Sequence, residues 1–435
     1  MVSFLQTLLA LPLLVLFLFM KYKTNIKNSS STFPKGPKGL PIIGNLHQLD
    51  ISNLHIQFLN LSKFYGPLFS LQIGFKKAIV ISTPQLAQQI LKDHDHGVSS
   101  RPPSHGTQKL SYNGIDMIFS PYNDCWREIR KICVVHFFSS KKISSFSPIR
   151  KSELYDYIPF MGWIDKLTGS IARVDNTFKS LDAFFEQVLK EHLDPNNRKR
   201  EEEEKDIVDV LLELKNQGHL SIHLTNDHIK AVLMNLLVAA TDTSAATSVW
   251  VMTALMKNPR AMKKAQEEIR NICGKKEFID EDDIQKLVYL KAVIKETLRY
   301  YPPVPLAPRE TNKSFILNGY KIEPKTLLYV NIWAIHRDPE TWKDPDEFYP
   351  ERFLNNDVDF KGLDFELIPF GGGRRICPGI PLAIAMQEMV TANLLNSFDW
   401  EMPEGMRKED IDIEGLPGLA RHKKNHLCLV AKNHM

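Results

Sequence analysis

One segment of the sequence reads Phe370-Gly371-Gly372-Gly373-Arg374-Arg375-Ile376-Cys377-Pro378-Gly379 and carries more information about the fold than any other. Consecutive glycines let the backbone turn where a side chain would collide, and let a flat ligand lie close against the chain. The apolar stretch 380–398 follows and is typical of a helix, so Cys377 stands at a helix N-terminus beside Arg375. The helix dipole and the neighbouring guanidinium both favour ionisation of this cysteine.

A thiolate in such a loop suits one metal centre in particular, a haem iron that is ligated on its proximal side. The alternative is a structural cysteine in a glycine-rich turn, which is the usual explanation of a single cysteine. The spacing Phe-x-x-Gly-x-Arg-x-Cys-x-Gly favours the haem ligand. It resembles the haem-binding signature of the cytochromes P-450. The resemblance extends over nearly the whole chain and is closest to the plant microsomal type.

This resemblance implies a fold and a cofactor. The implied fold is mainly α with a small β region, the cytochrome P-450 fold, in a single large haem domain. The implied cofactor is haem b, with Cys377 as the axial iron ligand, Arg375 paired with a haem propionate and Phe370 packed beside the thiolate. Gly373 and Gly379 are implied members of the same cofactor-binding loop.

The composition is that of an ordinary globular enzyme. The chain has 435 residues, of which 43% are hydrophobic and 24% charged, with a formal charge of +4. No segment dense in Lys and Arg indicates nucleic-acid binding. The five cysteines are scattered without C-x-x-C spacing, which indicates reduced thiols in a cytosol-facing protein.

The N-terminus predicts a membrane anchor. Residues 1–20 carry no charge and are almost wholly apolar, and about 20 such residues cross a bilayer. A cleaved signal peptide is the competing interpretation, but it requires a positive residue before the apolar run and a small-x-small site after it. Lys21, Lys23 and Lys27 follow the run instead, so the positive-inside rule places the remaining chain in the cytosol.

Three segments follow from this interpretation. We predict a transmembrane anchor at 1–20, a basic and Pro/Gly-rich hinge at 21–45, and a haem-thiolate catalytic domain at 46–435. The predicted location is the endoplasmic reticulum membrane, crossed once, with the catalytic domain in the cytosol.

Arginines outside the cysteine loop also match the family. Trp126 and Arg130 are four residues apart and share one helical face. Such a pair is usually no more than surface packing, but it resembles the family helix that supplies a Trp and an Arg to a haem propionate. Arg309 falls where the family places a further propionate partner.

The longest predicted helix runs from Asp227, its expected cap, to Asn258. Its apolar pattern breaks at 239–244, where small and hydroxylated residues can bend a helix. Close helix packing is one explanation. The family resemblance implies an oxygen-activating groove instead, in which Thr243 with Asp242 relays protons. Ala240 stands where the family commonly has Gly, and its methyl group would narrow that groove.

A group of charged residues in the C-terminal half also resembles a feature of the family. Glu296 and Arg299 are three residues apart on one face of a predicted helix. An isolated Glu–Arg pair of this kind would be a surface salt bridge that contributes little to stability. Together with Arg352, the pair resembles the family's Glu-Arg-Arg cluster, which serves geometry more than stability.

One departure from the family lies near residues 153–155. Several dozen residues that the family has after the Trp126–Arg130 helix are missing before the segment 157–160, which resembles a later family segment. The missing helices would cover the long helix, so Leu233, Leu236 and Leu237 are expected to be exposed. A natural short isoform, a mis-joined gene model and a decayed copy would all give this sequence.

The resemblance implies a monooxygenase that inserts one atom of O₂ into a lipophilic plant secondary metabolite. Electrons would come from NADPH through a flavoprotein reductase. Predicted pocket segments at 112–118, 239–243 and 304–307 indicate an apolar site of medium size. Two alternatives remain: a haem-thiolate isomerase or dehydratase, and a shortened family member that is catalytically impaired or inactive.

Overall fold

A computed structural model of the protein describes residues 33–103, 105–138, 170–194, 205–218, 220–274, 276–416, 418 and 420–434. The predicted anchor at 1–20, the first part of the predicted hinge and the junction at 153–155 lie outside these residues. They therefore remain predictions from the sequence.

Helices dominate the described residues. The α-helices are α1 (Leu54–Tyr65), α2 (Pro84–Gln88), α3 (Asp95–Val98), α4 (His105–Leu110), α5 (Asp124–His136), α6 (Ser170–Leu193), α7 (Ile207–Gln217), α8 (Asn226–Asn235), α9 (Thr241–Lys257), α10 (Pro259–Cys273), α11 (Glu281–Ile284), α12 (Val288–Tyr300), α13 (Ile332–Ile335) and α14 (Ile380–Ser397). The strands are β1 (Leu68–Ile73), β2 (Lys76–Ile81), β3 (Leu306–Glu310), β4 (Phe315–Leu317), β5 (Tyr320–Ile322), β6 (Leu327–Asn331), β7 (Phe398–Glu401) and β8 (Val430–Asn433). Single π-helical turns cover Gln89–Asp93 and Leu236–Ala240, and short 3-10 turns cover Leu46–Gln48, Pro350–Phe353, Gly373–Arg375 and Lys408–Asp410.

The chain forms two compact units. The first contains the described residues up to Ser100 together with Val304–Pro345 and Gly362–Arg375. The second contains the described residues of Arg101–Pro303, of Asp346–Lys361 and of the segment that begins at Ile376. The boundary between Arg375 and Ile376 falls inside the glycine-rich loop.

The first unit is built around a four-stranded sheet in the order β1-β2-β6-β3. Strands β1 and β2 are antiparallel, β2 and β6 are parallel, and β6 and β3 are antiparallel. One face of the sheet packs on α2 and on the π-helical turn after it, since Ile79, Ile81 and Val330 are buried with Leu86 of α2 and Ile90 of the turn. The predicted hinge has no helix or strand in its described part.

The second unit is a packed set of helices. The helix after the cysteine, α14, contacts α9, α10 and α12, and Trp250 of α9 is fully buried. Strands β7 and β8 pair antiparallel. Phe398 is bound through its carbonyl oxygen by Gln266 and Arg270 of α10, which fixes the end of α14 against that helix.

The long helix differs from the prediction in its interior and in its cap. It runs from Asn226 to Lys257, but the π-helical turn at Leu236–Ala240 interrupts it. The side chain of Thr225, not that of Asp227, accepts from the backbone N–H of His228 and caps the start. Thr225 forms a capping box there, which supplies two hydrogen bonds to the helix start instead of one.

By length and composition, Asn226–Lys257 is the one helix of the described residues that could cross a bilayer, with a mean hydropathy of 1.2. The core helix of a large enzyme meets the same criterion. Here α9 packs against α10, α12 and α14. These contacts bury Ala246, Thr247 and residues 250–256 within the protein.

Two segments in the C-terminal half differ from what their sequence patterns predict. The amphipathic pattern predicts one helix from Asp283 to Tyr300, but the structure has two, α11 and α12, because the chain turns at residues 285–287. The pattern predicts strands only after Pro308 and Arg309, whereas strand β3 includes both residues. Pro308 is tolerated because β3 is the edge strand of its sheet.

Candidate functional site

Cys377 lies in the second unit, just before α14. The backbone N–H of Gly379 donates to its thiol. A Cβ atom added to Gly379 would lie 3.9 Å from the Cys377 sulfur and 3.6 Å from Cε1 of Phe138. Gly379 has an ordinary φ of −87°, so its lack of a side chain leaves room beside the sulfur instead of relieving backbone strain.

The environment of this thiol differs from what the sequence indicated. Burial raises the pKa of Cys377, and the N–H of Gly379 and the charge of Arg130 lower it without reversing the rise. Burial thus opposes the ionisation that the sequence favours, and the cation that lowers this pKa is Arg130, not Arg375. A buried thiol of this kind becomes a thiolate when a metal ion replaces its proton.

Arg130 on α5 is the cation that faces the cysteine loop in the second unit. Its Nη2 donates to the carbonyl oxygen of Ile376 at 2.6 Å. Burial lowers the pKa of Arg130, while the negative charge that Cys377 can carry raises it. The helix that holds Arg130 begins with a cap, in which the side chain of Asn123 accepts from the N–H of Trp126 at 2.7 Å.

Trp126 shares the helix face of Arg130, as predicted. The guanidinium carbon of Arg130 lies 5.6 Å from the centre of the Trp126 ring. The indole Nε1 donates to the carbonyl oxygen of Met117 at 2.8 Å, so it holds the loop before α5. A hydrogen bond from Trp126 to a haem propionate stays a prediction.

The first unit holds two buried arginines near the glycines. Arg309 on β3 is 3% exposed and Arg375 is 7% exposed. Nε of Arg375 donates to the carbonyl oxygen of Ser99 at 2.8 Å. A Cβ added to Gly371 would lie 3.7 Å from Nη2 of Arg309, so this guanidinium adjoins the loop backbone. Phe370 is partly buried at the start of the loop, and its contact with the thiolate stays a prediction.

Gly373 has a different role from Gly379. Its φ is +64°, a left-handed conformation that favours glycine. An added Cβ would lie 2.3 Å from the carbonyl oxygen of Leu91 and 2.5 Å from Oδ1 of Asp95. The backbone N–H of Arg374 donates to both carboxylate oxygens of Asp95 at 3.1 Å. Gly373 therefore allows the loop to dock on the segment around α3.

The pattern break in the long helix coincides with the π-helical turn at Leu236–Ala240, directly before Thr241. The Thr243 hydroxyl donates to the carbonyl oxygen of Ala239 at 2.6 Å. Hydroxyl groups that bind backbone carbonyls in this way can bend a helix, and π turns occur frequently at functional sites. The predicted distortion at 239–244 is thus present, and it begins three residues earlier than the pattern indicated.

The carboxylate of Asp242 has a partner that the sequence did not indicate. Its Oδ1 lies 2.8 Å from Nε2 of His422, which is in the loop after Ile411. These residues are 180 positions apart and share no periodic pattern, so no signal in the sequence connects them.

Asn235, the last residue before the π turn, was also missed. Its Oδ1 accepts from the N–H of Met117 at 2.8 Å and from that of Ile118 at 3.3 Å. Its Nδ2 donates to Oδ2 of Asp116 at 2.8 Å, and both side chains are buried. Asn235 therefore fixes the segment 112–118, one of the predicted pocket segments, to the long helix.

The three residues of the predicted charged cluster lie together in the second unit. Glu296 binds Nε of Arg299 at 2.7 Å and Nε of Arg352 at 3.1 Å. The N–H of Tyr349 also donates to Glu296 at 2.8 Å, and Nη2 of Arg299 donates to the carbonyl of Glu347 at 3.0 Å. The cluster ties α12 to the segment 347–352.

The leucines that were expected to be exposed by the missing segment are less exposed than predicted. Leu233 and Leu236 are partly buried against a cluster that includes Leu189, so for these two the expectation is wrong. Leu237 is exposed, at 42%. The cluster on which these two leucines pack includes residues of α5, α6, α7 and α8.

The residues present fit haem. In the second unit, a thiol lies beside a glycine whose missing side chain leaves space at the sulfur, and Arg130 supplies a cation. In the first unit, Arg309 and Arg375 provide buried guanidinium groups at the glycine-rich loop. A soft sulfur ligand suits iron, and guanidinium groups suit propionates because they bind carboxylates in a bidentate manner.

Known proteins resemble this chain over most of its length. A family model described as Cytochrome P-450 matches residues 34–158 and 149–430. The 6,7,8-trihydroxycoumarin synthase of Pastinaca sativa is 42% identical over 507 residues, which cover 99% of each chain. The 5-OH-xanthotoxin synthase of the same plant is 42% identical over 502 residues, which cover 98% of each chain.

The fold has a counterpart among solved structures. A zebrafish cytochrome P-450 structure with abiraterone superimposes with a TM-score of 0.73, at 23% identity, and covers 87% of this chain and 100% of its own. This likeness supports the fold. The chain has the fold of a haem-thiolate oxidoreductase. It belongs to the cytochrome P-450 family and is a monooxygenase of the plant type within it.

The same comparisons bear on the length of the chain. The alignment with the trihydroxycoumarin synthase runs over 507 residues, whereas this chain has 435, so at least 72 aligned positions face a gap in this chain. The two matches to the family model overlap at residues 149–158. The relative therefore has residues without a counterpart here, and the family match is interrupted where the sequence departs from the family.

Proposed function

We propose that this protein inserts one oxygen atom from O₂ into a lipophilic, aromatic plant secondary metabolite, with haem b held by Cys377. The observation that carries the proposal is the surroundings of Cys377, with the N–H of Gly379 on the sulfur and Arg130 bound to the neighbouring carbonyl. Two relatives of 42% identity are named for hydroxylated coumarins and xanthotoxin, which supports aromatic oxygen heterocycles as the substrate class.

We assign one group of residues to binding of the cofactor and another to the delivery of protons. Bound haem supplies the activation of O₂, for which a thiolate ligand favours O–O cleavage. Arg130, Arg309 and Arg375, with Trp126, would hold the propionates. Asp242 and Thr243 would move protons, since a carboxylate and a hydroxyl can each take up and release a proton through hydrogen bonds.

Electrons are proposed to come from NADPH through a flavoprotein reductase at the endoplasmic reticulum membrane. The apolar residues 1–20 and the lysines at 21, 23 and 27 support a single anchor with a cytosolic catalytic domain. Deletion of residues 1–20 is expected to lower membrane partitioning and leave the haem spectrum unchanged. Glycosylation at an acceptor site introduced into the catalytic domain would contradict the orientation.

The first test is the carbon monoxide difference spectrum of the reduced full-length chain. Cys377→Ser is expected to abolish the thiolate-type band, whereas Cys125→Ser and Cys273→Ser retain it. Incubation with reductase, NADPH and heavy-isotope O₂ should then add one labelled oxygen atom to xanthotoxin or a related coumarin. Loss of the band with Cys125→Ser alone would contradict the ligand assignment, and a product without the label would favour an isomerase or dehydratase.

A second candidate function is that of an impaired or inactive shortened family member. The gap of at least 72 positions and the exposure of Leu237 favour it. Restoring a family-like insert between Glu153 and Leu154 tests this candidate by haem release during thermal unfolding. A higher transition temperature with the insert supports impairment, and an unchanged cooperative transition argues against it.

A further inference from the structure

We infer that His422 positions Asp242 and connects it to solvent protons, an inference that rests on the proposed relay through Asp242 and Thr243. Nε2 of His422 lies 2.8 Å from Oδ1 of Asp242. An ionised carboxylate only accepts, so the imidazole is the donor in this hydrogen bond. Both residues belong to the second unit.

The loop that carries His422 is fixed to the long helix. The carbonyl oxygen of Arg421 accepts from Nε1 of Trp250 at 2.7 Å, and the Arg421 guanidinium carbon lies 4.4 Å from the centre of that ring. The N–H of Arg421 donates to the carbonyl oxygen of Pro303 at 2.7 Å. These contacts fix the residue before His422, so the imidazole reaches Asp242 from a defined backbone position.

The following residue is fixed as well. Nζ of Lys423 lies 2.7 Å from Oδ2 of Asp412, and the Lys423 side chain is 4% exposed. The carbonyl oxygen of His422 itself accepts from the N–H of Leu416 at 2.8 Å. With both neighbours and its own backbone bound, His422 has little freedom other than rotation of its side chain.

The exposure of the pair suits proton exchange with water. The side chain of His422 is 37% exposed and that of Asp242 is 46% exposed. The hydroxyl of Thr243, in contrast, binds within the helix to Ala239. Consecutive helical residues point about 100° apart, so Asp242 and Thr243 can serve different sides of the helix.

The proton step needs no oxidant or reductant. A protonated His422 transfers the proton on Nε2 to Oδ1 of Asp242 and becomes neutral, and water or buffer then returns a proton to the imidazole. Histidine suits this exchange because each ring nitrogen can carry or give up a proton. His422 is thus a positioning residue that acts through Asp242, because it does not itself touch the reacting atoms.

Two experiments test the inference on the full-length chain, and the first needs no turnover. Unfolding of His422→Leu, Asp242→Asn and the double variant measures their coupling. The double variant is expected to lose no more stability than the worse single variant. His426→Leu, an exposed histidine of the same segment, is the matched control and should be additive with Asp242→Asn. Additivity for His422 as well would overturn the pairing.

The second experiment measures the fraction of NADPH electrons released as peroxide, with xanthotoxin as the probe. His422→Leu is expected to raise the ratio of peroxide to product by roughly tenfold, since positioned proton donors contribute on the order of a hundredfold or more. His422→Gln, which retains an N–H donor, should restore most of the coupling. A purely structural role would not separate Leu from Gln in this ratio once both retain the carbon monoxide band.

The outcomes distinguish the inference from the proposed function. If Thr243→Ala raises peroxide release and His422→Leu does not, the inference about His422 is overturned and the relay stands. If neither variant changes the ratio, the relay itself is wrong and the inference fails with it. Equal ratios of peroxide to product for His422→Leu and His426→Leu would also overturn the inference about His422.

Discussion

Nη2 of Arg130 donates a 2.6 Å hydrogen bond to the carbonyl oxygen of Ile376, the residue directly before Cys377. The same guanidinium lowers the pKa of the Cys377 thiol, against the rise that burial causes. One side chain thus fixes the backbone of the cysteine loop and favours the thiolate. The sequence indicated Arg130 as a propionate partner only.

Arg130→Gln should weaken thiolate ligation. Loss of the positive charge raises the pKa of Cys377 further, so the thiolate-type carbon monoxide band should shrink relative to the thiol-type band. Arg127→Gln is the matched control, because Arg127 lies on the same helix, is 57% exposed and pairs only with the exposed Asp124 among its described ion pairs. Equal spectra for the two variants would show that the charge of Arg130 does not act on the sulfur.

The two glycines that flank the cysteine should respond differently to Ala. Gly373→Ala should destabilise the fold, because a left-handed conformation costs about 1–2 kcal/mol for other residues and the new Cβ would also meet Leu91. Gly379→Ala should leave the unfolding temperature nearly unchanged and alter the haem spectrum, because its Cβ would only adjoin the sulfur. Thermal unfolding and the carbon monoxide spectrum separate these effects. A larger loss of stability in Gly379→Ala, with the larger spectral change in Gly373→Ala, would contradict both assignments.

Breaking the buried charged cluster should be costly. Glu296→Gln leaves Arg299 buried with a weakened partner, and removal of one member of a buried pair costs about 3–5 kcal/mol. Lys263→Ala removes a pair with Glu267 in which both side chains are largely exposed, and should change stability by less than about 1 kcal/mol. Urea unfolding of the two variants measures the contrast. A similar cost for both would indicate that water reaches the cluster.

Glu388 on α14 predicts a pH-dependent stability. Burial raises its pKa from 4.5 to about 7, and Lys291 partly opposes the rise. Because the folded pKa exceeds the unfolded value, the contribution of Glu388 to stability is complete below 4.5 and is lost as the pH rises through about 7. The stability of Glu388→Gln minus that of the parent should therefore be larger above about pH 7 than below pH 4.5. A constant difference across urea midpoints at these pH values would contradict the raised pKa.

Local patterns predicted much of the fold. Pro259 and Gly274 predict a helix between them, and the bounds of α10, Pro259–Cys273, agree with this prediction. The alternating apolar residues at 68–73 predict a strand, and β1 has these bounds. Short strands such as β5, with three residues, carry too little pattern to be recognised.

The candidate site was predictable only where its residues lie close together in the sequence. Glu296 and Arg299 are one helical turn apart, so their pairing follows from spacing. Asp242 and His422 meet through tertiary packing, and neither residue type is unusual at its position. Asn235 was likewise hidden, because a polar residue in an apolar helix does not indicate which distant backbone it binds.

Gly373 and Gly379 stand six residues apart in one signature, yet we expect substitutions at each to be under different selection. Gly373 is required wherever the loop docks on Leu91 and Asp95, whether or not haem is present. Gly379 makes no such demand on the backbone, since its conformation is open to any residue. A gene copy that lost its cofactor but still folded would therefore be expected to keep Gly373 and to accumulate substitutions at Gly379 first. We therefore expect natural variation at these two positions to distinguish lineages that have retained oxygen chemistry from lineages that have retained only the fold.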